Sequence, residues 1–132
     1  MFKGRIIPNT AAVANTNIPF AVVWNTNNNT RYNQTANTVE IGTVGYYDVN
    51  VMLTVTGVAT SPITATLLGD STPILESVAT TDITATTGVE TLVIADTVRV
   101  SAEALNSVAN LSVQLNEAAT VTSGLITVEK VR

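Results

Sequence analysis

Residues 46–58 constrain this chain more than any other stretch. On an extended backbone Tyr47, Val49, Val51, Leu53 and Val55 fall on one side, and Tyr46, Asp48, Asn50, Met52, Thr54 and Thr56 on the other. Successive side chains of a strand point to opposite faces, so this alternation predicts a long strand with one face in a core. Gly45 and Gly57 stand at its ends as boundary residues.

Similar patterns recur at short intervals. Ile63, Ala65 and Leu67 alternate with Thr64, Thr66 and Leu68 before a turn at Gly69-Asp70-Ser71, where Asp70 is expected to cap its own backbone. Residues 73–79 read as a strand, and Thr86-Thr87-Gly88 closes a polar connection. Residues 89–100 are rich in Val and Thr, with Leu92, Ile94, Val98 and Val100 in phase and Asp96 read as a turn or bend. Residues 124–131 form a last strand. Residues 103–119 fit two patterns: Leu105, Val108 and Leu115 have helical spacing, whereas Leu111, Val113 and Leu115 alternate with Ser112 and Gln114. Strands on both sides favour a strand over 107–115. Many short strands separated by turns predict an all-β antiparallel sandwich.

The first part of the chain is different. Residues 20–24 and 38–41 are predicted strands, and Asn27-Asn28-Asn29 a loop tip. Nothing alternates over residues 1–12, which are read as an N-terminal arm preceding a domain of residues 13–132. A length of 132 residues fits that single domain.

Charge narrows the partners. Only 12% of residues are charged, against a usual share of about 25%. The six basic residues are scattered through a chain of net charge -4, which predicts no nucleic-acid partner. The longest apolar runs, such as Ala21-Val22-Val23-Trp24, fall far short of the ~20 residues of a membrane span. A polar, weakly charged surface suits display at high local density, and equally a β-rich composition. Residues 1–8 lack an apolar segment followed by a small-residue cleavage site, which predicts synthesis in a host cytoplasm and arrival outside by assembly or lysis. The glycosylation-like triplets at Asn28, Asn33 and Asn110 are expected by chance in so Asn- and Thr-rich a sequence.

The chain has no histidine and no cysteine. The usual general base, the thiol nucleophile and disulfides are therefore excluded, and Ser-His-Asp and Cys-His sites with them. Asp48, Asp70, Asp82 and Asp96 are dispersed, with no Asp-rich calcium loop. The sequence predicts no catalytic residue, no cofactor and no metal. Arg99 is placed to pair with Asp96 or Glu103. Trp24, beside Asn28 and Asn29, is a candidate for sugar stacking, or else continues Phe20 and Val22 into a core face.

Three stretches carry a family resemblance. Gly45-Tyr46-Tyr47-Asp48-Val49 looks like a Gly-x-Tyr-x-apolar strand opening. The run Leu92-Val93-Ile94-Ala95-Asp96-Thr97-Val98-Arg99-Val100 looks like a Leu-x-x-x-Asp-x-Val-x-Val strand, and Thr122-Ser123-Gly124-Leu125-Ile126-Thr127-Val128 like a closing strand. In this order they resemble the tumour-necrosis-factor-like and complement-head-like jelly rolls, closest to the Thr/Val/Asn-rich bacterial and phage branch, since aromatic residues are only 5%. The resemblance covers residues 19–131. It implies a two-sheet jelly-roll sandwich in a homotrimer, with Tyr46, Met52, Ile126 and Val128 expected at the subunit interface.

These readings converge on a non-enzymatic virion component: a trimeric capsid-decoration, head-fibre or fibre-tip protein on the virion surface. Its partners would be sister copies and a capsid or fibre, gripped through Phe2, Ile6 and Ile7 of the arm. Two alternatives stay open. One is an adhesion module for a host-surface glycan or receptor. The other is a structural domain at a cell or spore surface, which normally follows a collagen-like stalk.

Overall fold

The computed structural model describes residues 1–26, 30–56, 62–81, 88–100 and 109–132. Among these every regular element is a β-strand. The strands are β1 (Phe2–Arg5), β2 (Thr10–Ala12), β3 (Ala21–Asn25), β4 (Thr30–Asn33), β5 (Thr38–Ile41), β6 (Gly45–Thr56), β7 (Ile63–Gly69), β8 (Thr72–Thr81), β9 (Val89–Val100), β10 (Ala109–Leu115) and β11 (Ala119–Lys130). Sheet I runs β3-β1-β11-β6-β9, with β2 also on β11; sheet II runs β4-β5-β10-β7-β8. Every pairing is antiparallel. This is the predicted two-sheet jelly-roll sandwich.

The alternation of β6 is realised in full. Tyr47, Val49, Val51, Leu53 and Val55 are buried, and they meet Val39, Ile41, Ile63, Ala65, Leu67, Leu111, Val113 and Leu115 in one core. Each of the Val, Leu and Ile side chains contributes about 1.5–3 kcal/mol by leaving water. The ambiguous stretch resolves to a strand at β10, because that phase turns Leu111, Val113 and Leu115 inward together. Residues 101–108 lie outside those described.

The N-terminal arm is a correction. Residues 2–5 are an interior strand of sheet I, held between β3 and β11, and Thr10–Ala12 pairs with Ala119–Val121. Phe2, Gly4 and Ile6 alternate inward; the glycine hid that period in the sequence. It packs closely there: a Cβ on Gly4 would lie 3.2 Å from Ile126 Cγ2 and 3.3 Å from Phe20 Cβ, so those neighbours would have to give by a few tenths of an ångström. Phe2 stacks on Tyr32 of sheet II at 6.5 Å between centroids, tying the two layers together. The first twelve residues are therefore part of the sandwich.

Two turn readings also change. Asp96 makes no bend: β9 runs straight through it, paired with Val49. Its carboxylate accepts the Ser77 hydroxyl of β8, and the Thr97 N–H at 2.8 Å, which links the two sheets at their β8/β9 edge. Asp70 and Ser71, at φ 52° and 65°, form the two-residue loop of the β7–β8 hairpin. Asp70 Oδ1 accepts the N–H of Asn110 at 2.9 Å, so it caps β10 rather than its own backbone.

Candidate binding and assembly face

Sheet II covers the inner side of sheet I, which leaves the outer side of sheet I to meet solvent or a partner. The register defines its rows. Arg5, Leu125, Met52 and Val93 lie in line across β1, β11, β6 and β9, and Lys3, Thr127, Asn50 and Ala95 form the next row. Met52 is 42% exposed and Val93 58%, side by side, and Tyr46 is exposed at the end of the same strand as Met52. Arg132 sits over the Tyr46 ring at 5.1 Å. One row of this face, Leu125, Met52 and Val93, is thus apolar, between a row holding Asn50 and Thr127 and one holding Thr54 and Thr91.

The expected interface divides here. Tyr46 and Met52 do face outward. Ile126 and Val128 are fully buried, because they oppose Val51 and Val49 on the inner side of the sheet. Their place on the outer side is taken by Leu125 and Thr127, and the cross-strand partner that sequence reading missed is Val93. Val93 sits between Leu92 and Ile94 and so faces the other way, and the pairing register sets it against Met52.

The expected anchor divides in the same way. Phe2 and Ile6 are core residues with no surface to offer; Ile7 alone is exposed.

Trp24 is exposed, against the reading that continued Phe20 and Val22 into a core. A bulge explains the reversal. Gly4 opposes Val22, but Lys3 opposes Trp24, so β3 carries one extra residue and its phase flips. Trp24 consequently shares the outer side with Lys3, whose ammonium lies 5.0 Å from the ring centroid. Asn28 and Asn29 lie outside the described residues.

An open pocket of about 390 Å³ is lined by Asp48, Asn50, Ala95, Asp96 and Thr97. Its carboxylates are already engaged: Asp48 Oδ1 accepts the Thr97 hydroxyl at 2.8 Å, and Asp96 is held as described. Among the described residues no group of three acidic side chains converges on a point where a metal ion would sit.

Ionisation on the other sheet is structural. Arg31 Nε donates to the Glu40 carboxylate, which also accepts the Asn33 amide at 3.2 Å. The Arg31 hydrogen bond first, and Asn33 second, hold the Glu40 carboxyl below its usual range. Burial pushes the Tyr47 and Tyr32 phenols up. Tyr47 donates to Thr43 O at 2.7 Å, and Tyr32 accepts the Phe20 N–H at 2.7 Å while donating to Asn37.

No family model matches the sequence, and no curated protein is significantly similar to it. Solved structures do match the fold. A tumour-necrosis factor, Eiger, from S. frugiperda aligns over 99% of this chain and 93% of its own, with 12% identity and a TM-score of 0.75. The globular domain of zebrafish complement 1qA aligns over 99% and 96%, with 6% identity and a TM-score of 0.74. Murine APRIL aligns over 97% and 98%, with 11% identity and a TM-score of 0.70. The fold is thus a jelly roll of the tumour-necrosis-factor and complement-head type.

Proposed function

We propose that this chain is a non-enzymatic structural protein that works as a homotrimer, with the β6/β9 part of the outer side of sheet I packed against sister copies. One observation carries the reading: Met52 on β6 and Val93 on the edge strand β9 stand paired and exposed, on the side opposite the buried Val51, Leu53, Leu92 and Ile94. A sandwich needs no outward methionine and valine for its own stability, whereas a subunit interface does, since contiguous exposed apolar surface marks an interaction site. The trimer implied by the family resemblance supplies the symmetry.

The assembled trimer decorates a larger particle, a phage capsid or fibre, and stabilises it or mediates attachment at the virion surface. The low charge supports this, because closely spaced copies repel one another little. Residues Phe2 and Ile6 do not serve as the grip, and exposed Ile7 remains as the apolar contact of that end.

Sedimentation equilibrium of the full chain at micromolar concentration tests the assembly, with a mass three times 13.8 kDa expected. A monomer at that concentration overturns it. Immunogold labelling of purified particles tests the location; label confined to the particle-free fraction overturns the virion role.

A further inference from the structure

We infer that the β1/β3 end of the outer face is a binding site for an acidic saccharide, one carrying a carboxylate or sulfate group. The site stands on a single chain and does not depend on the assembly proposed above.

Trp24 is 50% exposed, with the Lys3 ammonium 5.0 Å from its ring centroid, so indole and cation stand together while much of the ring surface stays open. Arg5 lies two residues along β1 on the same outward side, about 7 Å from Lys3, and is also exposed. Its cross-strand neighbour on β3 is Ala21, too small to screen it. Thr127, opposite Lys3, adds a hydroxyl beside the ammonium. Among the described residues neither Lys3 nor Arg5 has a carboxylate partner; the ion pair found there is Arg31–Glu40 on sheet II.

An indole, a guanidinium and an ammonium on one side of a rigid sheet match a defined chemistry. The C–H face of a sugar ring stacks on the aromatic surface, and its acidic group takes the guanidinium in paired hydrogen bonds. Two cations in a chain of net charge -4 suit a ligand with one or two anionic groups better than a nucleic acid, whose binding scales with the phosphates neutralised. The edge strand β3 lies three strand spacings from β6, roughly 14 Å, so a partner seated on Met52 and Val93 leaves it open. In a trimer three such sites act together, and a weak single contact gains strength by multivalency.

Trp24 is the sole tryptophan of the chain, so its fluorescence reads the site directly. The full chain is titrated with sialyllactose, a sulfated chondroitin tetrasaccharide, lactose, sodium sulfate and an oligothymidylate. The expected result is a saturable change with at least one acidic saccharide, at least tenfold weaker with lactose. Adding K3Q and R5Q together should weaken that binding tenfold or more, with an unchanged circular dichroism spectrum. Calorimetry on Trp24→Ala should show a similar loss. No response to either acidic saccharide overturns the inference. So does a response to lactose, to sulfate alone or to the oligonucleotide that equals the best acidic saccharide, and so does unchanged binding by the folded Trp24→Ala variant.

Discussion

The two outward surfaces of this sandwich both belong to antiparallel sheets with one side in the core, yet they are finished differently. On sheet II the outward polar groups satisfy one another. Thr64 and Thr80 hydroxyls meet at 2.9 Å, Gln114 donates to Asn17 at 2.9 Å, and Arg31, Glu40 and Asn33 form a closed set. On sheet I outward groups pair as well, Thr54 with Thr91 at 3.3 Å and Thr97 with Asp48 at 2.8 Å, but Met52, Val93, Tyr46 and Trp24 stand exposed beside them. A surface whose donors and acceptors are matched internally gains little from a partner. One that leaves apolar and aromatic groups in water gains about 25 cal/mol for each Å² it covers. The contrast is the ground on which the outer side of sheet I is proposed as the working face.

The largest way to break the comparison is to remove residues 1–12. Sheet I then loses β1 from between β3 and β11, and Phe2 and Ile6 leave the core. The expected outcome is loss of cooperative folding, read by thermal circular dichroism, because the lost burial rivals the total stability of about 5–15 kcal/mol. A truncated chain that still melts cooperatively would restore a detachable arm and undo the assignment of sheet I. The milder Phe2→Ala should cost about 3–5 kcal/mol in urea denaturation.

Charge placed on each face separates them next. Met52→Glu and Val93→Glu should each break the assembly, since an unpaired carboxylate would be buried at the interface. Val78→Glu, on the outward side of sheet II, should leave it intact. Sedimentation reads all three, and the folded subunit should lose no more than about 0.5 kcal/mol in any of them. Equal behaviour of the three variants would erase the distinction between faces. A smaller effect belongs to sheet II alone: Ser71 holds a positive φ of 65° that glycine adopts freely. Ser71→Gly should raise stability by up to about 1 kcal/mol and leave sedimentation unchanged.

Much of this architecture was legible in the sequence, and the exceptions share a cause. The long alternating run of β6 and the short run of β5 were readable because each inward position holds a bulky residue. β1 was not, since Gly4 occupies an inward position and four residues give too short a period to survive one gap. β4 went unread because Arg31 and Asn33 carry no apolar signal and, of its inward residues, Thr30 is polar, which leaves Tyr32 alone. Side assignment failed for another reason. Trp24, Ile126 and Val128 sit where the sequence is apolar in consecutive positions or where a bulge resets the phase, at Lys3/Gly4 and at Val121/Ser123. Hydrophobic pattern tells that such a strand is buried somewhere; only cross-strand register tells which side. The candidate face was half legible, through Tyr46, Met52 and Trp24, while Val93, Lys3 and Arg5 join it by pairings that no local pattern encodes.

The finest test uses the ion pair that closes sheet II. The Glu40 carboxyl is held below its usual range by Arg31 and then Asn33, so the folded state binds its proton less readily than the unfolded chain. The resulting stability is fully present above the unfolded carboxylate range, near pH 4–4.5, and disappears as the pH falls through the lower folded value. Glu40→Gln should therefore lower stability by up to about 1 kcal/mol at pH 7 and by progressively less in acid, where the wild-type carboxyl is protonated too. Urea midpoints from pH 7 to pH 3 should converge for the two proteins. Parallel profiles would mean that the pair does not finish the surface of sheet II. Sedimentation of Glu40→Gln adds the decisive contrast, because a trimer resting on sheet I should be indifferent to a change on the opposite sheet; dissociation by this variant would move the interface to sheet II and reverse the assignment of the two faces.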